Sequence, residues 1–371
     1  MIVDQQINIL KLTLSAGLMS INQDELTVHA SKLLKTIDKT WLIEHQDQVL
    51  RSVHNSRMMS FMDRLLPFIE DCRLSKFVEL YNALIAVTAI RRSLLEPVFA
   101  ALAERHIDVM PYKGIDFFYN YKCSAPHRFF SDIDLIIKRE QLVGAAAVFN
   151  RLGFVQGDIR KDRLSVDGRS LSMRPWPSLD AQGLAWVEQS LKPFVIVNKA
   201  EQLRPHEKIL AEYTVIFQSG HPMVVAYIDL EWSVLPGIAE RDVWRRTRVA
   251  KVGDGTYSGL CPELYLCSLF NRVFADSSAF EAAVVYPFTD AVRLVVAGGL
   301  DWDYLWELAQ RYFLVMVVSE GLLEVAAIAP SAVPAEVVQR CHVHQQKHRS
   351  SYESAPLKGL RFINSAFLIG T

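Results

Sequence analysis

The sequence has almost no net charge and no long uninterrupted apolar run. Lysine and arginine number 40, and aspartate and glutamate 41, among 371 residues. Proteins that cover long stretches of nucleic acid normally carry a basic surface, so this balance argues against that class and leaves only a local basic cleft open. Glu320 and Glu324 interrupt the longest apolar candidate. The roughly 18 uncharged residues of a membrane span are therefore missing, and no membrane partner is expected.

The sequence also lacks the features of a secreted protein. Its five cysteines are odd in number and show no disulfide-like spacing. The N-terminal segment has Asp4 where a signal peptide carries positive charge. Disulfide frameworks belong to oxidising compartments, so we expect a reduced, cytoplasmic protein.

The length and composition predict two or three subdomains and a substantial apolar core. The 371 residues exceed what one small core usually carries, and 50% of them are hydrophobic. Apolar residues at three-and-four spacing predict helices over residues 1–105. The patterns within residues 106–235 predict short strands that alternate with helices. The patterns within residues 236–371 predict a second, mainly helical region. The segment 156–206, rich in glycine, proline and arginine, is expected to form short strands or a mobile flap.

Two aspartates lie one residue apart at the start of an apolar run, in "SDIDLIIK" (131–138). In a strand, residues i and i+2 face the same side, so Asp132 and Asp134 project together while Ile133 enters the core. Carboxylates this close repel each other, and burying them unpaired costs several kcal/mol. A divalent metal compensates both charges, and Mg²⁺ or Mn²⁺ suits carboxylate oxygens together with substrate phosphates.

Residues upstream of the aspartates suit an anionic ligand. Arg128 and Ser131 directly precede the pair, and arginine makes bidentate contacts with phosphate. Lys113 and Gly114 lie at a predicted strand-to-helix turn, where backbone N–H groups bind phosphate and glycine permits close approach. The pattern therefore predicts a phosphate-binding site beside the metal site.

A second acidic pair follows in "YIDLEWSV" (227–234). Asp229 and Glu231 are again i and i+2 on a predicted strand. If this strand is adjacent to the first, one or both acids join the metal site. A two-metal centre of this kind activates an acceptor hydroxyl and stabilises a pyrophosphate leaving group, with Asp229 as ligand and candidate general base.

Each of these patterns also has an ordinary structural explanation. An Asp-x-Asp pair on a strand edge is as often solvated surface, and Lys-Gly occurs at many turns. The cluster Cys341, His342, His344 and His348 has no trusted zinc-site spacing. The basic run 244–251 is usually a solvated face, as is the group Arg160, Lys161, Arg163 and Arg174, although either could contact a polyanionic acceptor. The order of the turn and the acidic strands is what favours a catalytic site.

That ordered set resembles the polymerase-beta-like nucleotidyltransferase superfamily, and more closely an uncharacterised bacterial nucleotidyltransferase family. The matching segments are "YKG" (112–114), "RFFSDIDLII" (128–137), "RLGF" (151–154) and "IDLEW" (228–232). The resemblance implies an α+β fold, with a small mixed sheet flanked by N-terminal and C-terminal helical regions. It implies Asp132, Asp134 and Asp229 as catalytic metal ligands, and a triphosphate site lined by Lys113, Gly114, Arg128 and Ser131.

The implied activity is Mg²⁺-dependent transfer of an NMP group from an NTP co-substrate to a hydroxyl or phosphate. A small-molecule acceptor is favoured over RNA or protein, and the oligomeric state is left open. Two departures from the family pattern are Ile115, where a small or hydroxyl residue is usual, and Glu231, where a histidine is usual. These departures keep open a catalytically degenerate nucleotide-binding scaffold. A second alternative is an enzyme of the same fold that acts on a macromolecule, a toxin-like transferase modifying tRNA or protein.

Overall fold

The structure of the protein, a computed structural model, describes most of the chain. The described residues are 2–21, 23–55, 57–121, 129–130, 132–161, 171–175, 186–187, 190–191, 194–213, 216–218, 220–235, 237–276 and 285–348. The fold is a mixed α+β fold that combines many helices with a small mixed sheet. No helix within these ranges is long and apolar enough to cross a membrane.

Close packing divides the chain into two units. The first contains the described residues up to Ser75 and those from Pro262 onward. The second contains the described residues between Lys76 and Cys261. The division into regions 1–105, 106–235 and 236–371 stays a prediction about the organisation of the chain.

The first unit is helical. Its helices are α1 (Ile2–Met19), α2 (Asp24–Lys35), α3 (Lys39–Glu44), α4 (Gln46–Asn55), α5 (Leu66–Asp71), α11 (Pro262–Asp276), α12 (Val285–Ala297), α13 (Trp302–Arg311), α14 (Val315–Ile328) and α15 (Ala335–Lys347), with short 3₁₀ helices at Met58–Leu65 and Pro330–Ala332. Gly17 lets α1 approach α12 closely, because a Cβ at this position would collide with the Thr289 side chain. On α15, Cys341 is buried while His342 is exposed, and His348, directly after the helix, is exposed too.

The second unit combines helices with all the strands found in the described ranges. Its helices are α6 (Ser75–Glu104), α7 (Gly114–Asn120), α8 (Leu142–Arg151), α9 (Glu207–Tyr213) and α10 (Glu240–Arg245), and short 3₁₀ helices lie at Arg139–Gln141 and Glu201–His206. Its strands are β1 (Val109–Tyr112), β2 (Asp132–Ile137), β3 (Val155–Lys161), β4 (Leu171–Pro175), β5 (Trp186–Val187), β6 (Ser190–Leu191), β7 (Phe194–Lys199), β8 (Ile216–Gln218), β9 (His221–Glu231), β10 (Thr247–Val252) and β11 (Gly255–Leu260).

The main sheet has the order β1-β2-β9-β7-β3-β4. β2 and β9 run parallel, and β1 pairs with β2 in the antiparallel direction. One face of β2 and β9 carries buried aliphatic side chains, among them Ile133, Leu135 and Ile228, which pack into a core with α6 and α8. Phe149 of α8 and Phe194 of β7 meet in this core with ring centroids 5.1 Å apart. The core thus fixes one face of the two central strands and leaves the other face for polar side chains.

Residues 247–260 differ from the helical expectation for the chain after Pro236. They form the β10–β11 hairpin, with Thr247 opposite Leu260, which closes through a turn at Gly253 with a φ of 56°. The hairpin packs against β1 and α7. The sequence contains a turn signal, "VGDGT" at 252–256. The hairpin was not predicted because the segments that follow it have helical patterns.

A buried ion pair joins α7 to this hairpin. Asp116 is fully buried and accepts hydrogen bonds from Arg248 of β10 and from Asn120, the latter at 2.9 Å. Asn120 also accepts a hydrogen bond from the Lys251 backbone N–H at 2.6 Å. Burial raises the pKa of Asp116 to about 6, although Arg248 and Asn120 act to lower it. The helix that follows Lys113 is therefore connected to the hairpin through buried polar contacts.

The raised pKa of Asp116 predicts a pH-dependent stability difference. An unfolded aspartate titrates near 3.9, so the folded protein holds this proton up to about pH 6. Stability supplied by the protonated form is therefore complete below about pH 4 and is lost as pH rises through 6. We expect the unfolding free energy of wild type, relative to Asp116→Asn, to fall by roughly 2 kcal/mol between pH 4 and 7. Denaturant unfolding of both proteins measures it, and a difference that grows with pH would contradict the assignment.

Candidate active site

The parallel pairing of β2 and β9 brings the predicted acids together. Asp134 lies opposite Asp229, and Asp132 lies opposite Tyr227. Glu231 is two residues further along β9, opposite Ile136. Paired residues in a sheet project to the same side, so Asp132, Asp134, Asp229 and Glu231 share the face opposite the apolar core. We call these four side chains the acidic cluster.

Lys113 places a positive charge inside the acidic cluster. Its Nζ lies 2.5 Å from Asp134 Oδ1 and 3.0 Å from Glu231 Oε1. Lys113 follows β1, whose last residue Tyr112 pairs with Asp134, and this register delivers the ammonium group to the cluster. Burial disfavours the charged form of Lys113, but the charges of Asp134 and Glu231 outweigh it and hold its pKa above the usual value. The lysine expected to bind phosphate is thus an ion-pair partner of two of the predicted ligands.

The backbone of Lys113 is unusual for a residue with a side chain. Its φ is 53° and its ψ is −129°, a conformation that favours glycine and costs a lysine about 1–3 kcal/mol. Such a conformation persists where surrounding contacts over-determine it. Here, the two ion pairs of the Lys113 ammonium group are such contacts.

Asp134 is the most buried member of the acidic cluster, with a side chain that is 6% exposed. Burial raises its pKa to about 7; Lys113 opposes this increase, and the charges of Asp132 and Glu231 add to it. Asp132, Asp229 and Glu231 are half-buried. A strongly perturbed carboxyl group beside further acids is typical of a functional site rather than of a solvated strand edge.

Arg91 of α6 is a further charged residue near the acidic cluster, and the sequence analysis missed it. Its Nη1 donates to the Phe130 carbonyl at 2.7 Å, and its Nε donates to the Val225 carbonyl at 3.3 Å. Burial lowers the pKa of Arg91 to about 10, and the nearby charge of Asp132 acts in the opposite direction. The arginine therefore connects the segment just before β2 with the middle of β9. Its signal in the sequence was a charged pair, Arg91-Arg92, inside the apolar stretch of α6.

The predicted phosphate-binding residues are only partly described. Arg128 and Ser131 lie outside the described residues. Gly114 is the buried first residue of α7. This helix has only seven residues, too few for its N-terminus alone to form a phosphate site. Ile115 is fully buried and belongs to the apolar core of the second unit. Because the side chain at position 115 packs into the core, the absence of a hydroxyl there removes no contact that the described site would make with a ligand.

The acidic cluster offers suitable metal-binding atoms, but its present arrangement is centred on a lysine. Within the described part of the chain, no group of three or more His, Cys, Asp or Glu side chains is arranged to hold a metal ion. The physical reason is that Asp134 and Glu231 converge on the Lys113 ammonium group. Several carboxylates on adjacent strands nevertheless provide the hard oxygen ligands that Mg²⁺ requires. The residues therefore fit such an ion by their chemistry.

Comparison with known proteins adds one match. The model of a protein family described as "Uncharacterised nucleotidyltransferase" matches residues 80–329, more than half of the chain. The chain belongs to this nucleotidyltransferase family. The match includes Arg91, Lys113 and the whole acidic cluster, so the site described above lies inside the family region of this nucleotidyltransferase. Searches among curated proteins and among solved structures found no match.

Proposed function

We propose that this nucleotidyltransferase catalyses Mg²⁺-dependent transfer of an NMP group from an NTP to a hydroxyl or phosphate of a small acceptor. The observation that carries the proposal is the pairing of Asp134 with Asp229 on adjacent parallel strands, with Asp132 and Glu231 on the same face. Family membership supports nucleotidyl transfer in general terms. The proposal includes a polymerase-beta-like arrangement of the catalytic core.

Metal binding is assigned to Asp132, Asp134 and Asp229, with Glu231 as an additional ligand. A bound Mg²⁺ or Mn²⁺ would supply charge neutralisation at the phosphates and at the leaving pyrophosphate. The adjacent strand positions of Asp134 and Asp229 explain why a cation is needed, because their ionised forms repel each other at this separation.

The chain's own residues bind the substrates and move the proton. Lys113 and Gly114, together with Arg128 and Ser131, contact the triphosphate. Asp229 accepts the proton of the acceptor hydroxyl, whose oxygen forms the new bond to the α-phosphorus. The bond from that phosphorus to the β-phosphate bridging oxygen breaks, and pyrophosphate leaves with the electron pair. Arg91 holds the carbonyls of Phe130 and Val225 and so orients the two acidic strands.

The test follows the α-phosphate into product fractions. The protein is incubated with a cell extract and each α-³²P-labelled NTP, with Mg²⁺ or with a chelator. Label in an acid-soluble product, dependent on Mg²⁺, is the expected result. Label in the RNA or protein fraction would favour the toxin-like alternative, and Mg²⁺-dependent NTP binding without label transfer would favour the scaffold alternative.

A further inference from the structure

The Lys113 ammonium group occupies the position between two carboxylates that are proposed as metal ligands. The group lies 2.5 Å from Asp134 Oδ1 and 3.0 Å from Glu231 Oε1, so it is bound to the oxygens that a metal ion would need. The lysine side chain is 26% exposed, which leaves it a path outward. Its backbone conformation disfavours a residue with a side chain, and the buried ion pairs give a reason for a lysine at this position.

We propose that Lys113 is an exchangeable internal counter-ion, which neutralises the acidic cluster before metal binds and is released toward the nucleotide phosphates when metal replaces it. This inference rests on the proposed function. The physical basis is competition: an ammonium group and a divalent cation repel each other at contact distance, and both need the same carboxylate oxygens. The flexible four-carbon stem of lysine allows the ammonium group to move while the backbone stays in place.

The inference gives a signature of opposite signs. Without the Lys113 charge, the acidic cluster attracts Mg²⁺ more strongly, so metal affinity in the absence of nucleotide should rise. The same change removes a positive charge from the phosphate site, so NTP affinity at saturating Mg²⁺ should fall. Because coupling between two ligands is reciprocal, wild type should show metal and nucleotide each strengthening the other. If Lys113 had a merely structural role, its removal would weaken the binding of both Mg²⁺ and NTP.

The experiment measures Mg²⁺ binding by calorimetry without nucleotide, then NTP binding at saturating Mg²⁺. Lys113→Met is compared with wild type and with Lys138→Met. Lys138 is a matched control because its Nζ pairs with a carboxylate, Asp108 at 2.6 Å, and lies over the Trp244 ring, as the Lys113 Nζ lies over the Tyr112 ring. We expect Lys113→Met to bind Mg²⁺ at least about tenfold more tightly and NTP about tenfold more weakly, while Lys138→Met matches wild type. Lys113→Gly suits the positive φ and repeats the test if the methionine variant does not fold.

The outcomes separate this inference from the proposed function. Unchanged or weaker Mg²⁺ binding in Lys113→Met, where wild type binds the metal, would overturn the inference alone. Mg²⁺ binding by Lys113→Met but not by wild type would overturn both proposals, because Lys113 would then be a permanent substitute for the metal and not an exchangeable one. Absence of Mg²⁺ binding in both proteins would overturn both proposals.

Discussion

Asp134→Asn is expected to reduce nucleotidyl transfer by roughly 10³-fold while leaving the protein folded. The substitution keeps the shape of the side chain but removes one charged oxygen ligand from the centre of the acidic cluster. Metal ions contribute several kcal/mol to transition-state stabilisation, and each 1.4 kcal/mol corresponds to a tenfold rate change. Release of pyrophosphate from the preferred NTP measures the loss.

The stability of Asp134→Asn separates a lost ligand from a lost fold. Asp134 is buried beside other acids, so its negative charge is costly, and Lys113 keeps Glu231 as a partner in the variant. We expect the free energy of unfolding to stay within about 1 kcal/mol of wild type, because the lost ion pair and the relieved repulsion offset each other. Asp108→Asn is the matched control, since Asp108 is half exposed and pairs with Lys138 at the surface. Retention of more than about a tenth of the activity in Asp134→Asn would remove Asp134 from the site.

Arg91→Met is expected to lower both stability and catalysis. It removes two charge-assisted hydrogen bonds, to the carbonyls of Phe130 and Val225, for a loss of roughly 2–4 kcal/mol in unfolding free energy. The acidic strands then lose a fixed connection to α6, and we expect kcat to fall by roughly 10²-fold. The KM for NTP should change little, because Arg91 is assigned no contact with nucleotide.

Two variants distinguish positioning by Arg91 from general destabilisation. Arg91→Lys keeps the charge and one hydrogen bond, and should recover part of kcat. Arg105→Met removes an exposed arginine just beyond the end of the same helix and should behave as wild type. If Arg91→Met loses kcat/KM only through a higher KM, with kcat unchanged, the result would contradict a positioning role.

The strands that build the site were predictable because their sequences are largely apolar and alternate in the side chains they bury. "VMPY", "DIDLII" and the segment ending "YIDLE" form β1, β2 and β9, and the alternation along each strand identified which side chains share a face. Adjacency of β2 and β9 was stated only as a condition, since pairing between distant segments depends on packing of the whole core. The structure meets that condition with Asp134 opposite Asp229.

The contacts of Lys113 and Arg91 could not be predicted from local pattern. Lys113 reaches Glu231 only because β1 and β9 flank β2. Arg91 reaches Val225 only because α6 packs near the middle of β9. Both interactions join residues far apart in sequence. The Lys-Gly turn suggested a phosphate-binding residue. The ion pair between this lysine and the acids can be predicted only once the pairing of β1, β2 and β9 is known. The roles of all these residues in catalysis stay predictions.

The most direct test of the central claim is calorimetric binding of each NTP, with and without Mg²⁺, to wild type and to the Asp132→Ala/Asp134→Ala double variant. The account predicts that one NTP binds wild type only when Mg²⁺ is present and that the double variant loses this binding. Circular dichroism of the double variant is the control that checks whether the fold is retained. NTP binding that is equal without Mg²⁺ and in the double variant, or no binding of any NTP to wild type, would contradict the assignment of the acidic cluster as a metal-dependent nucleotidyl-transfer site.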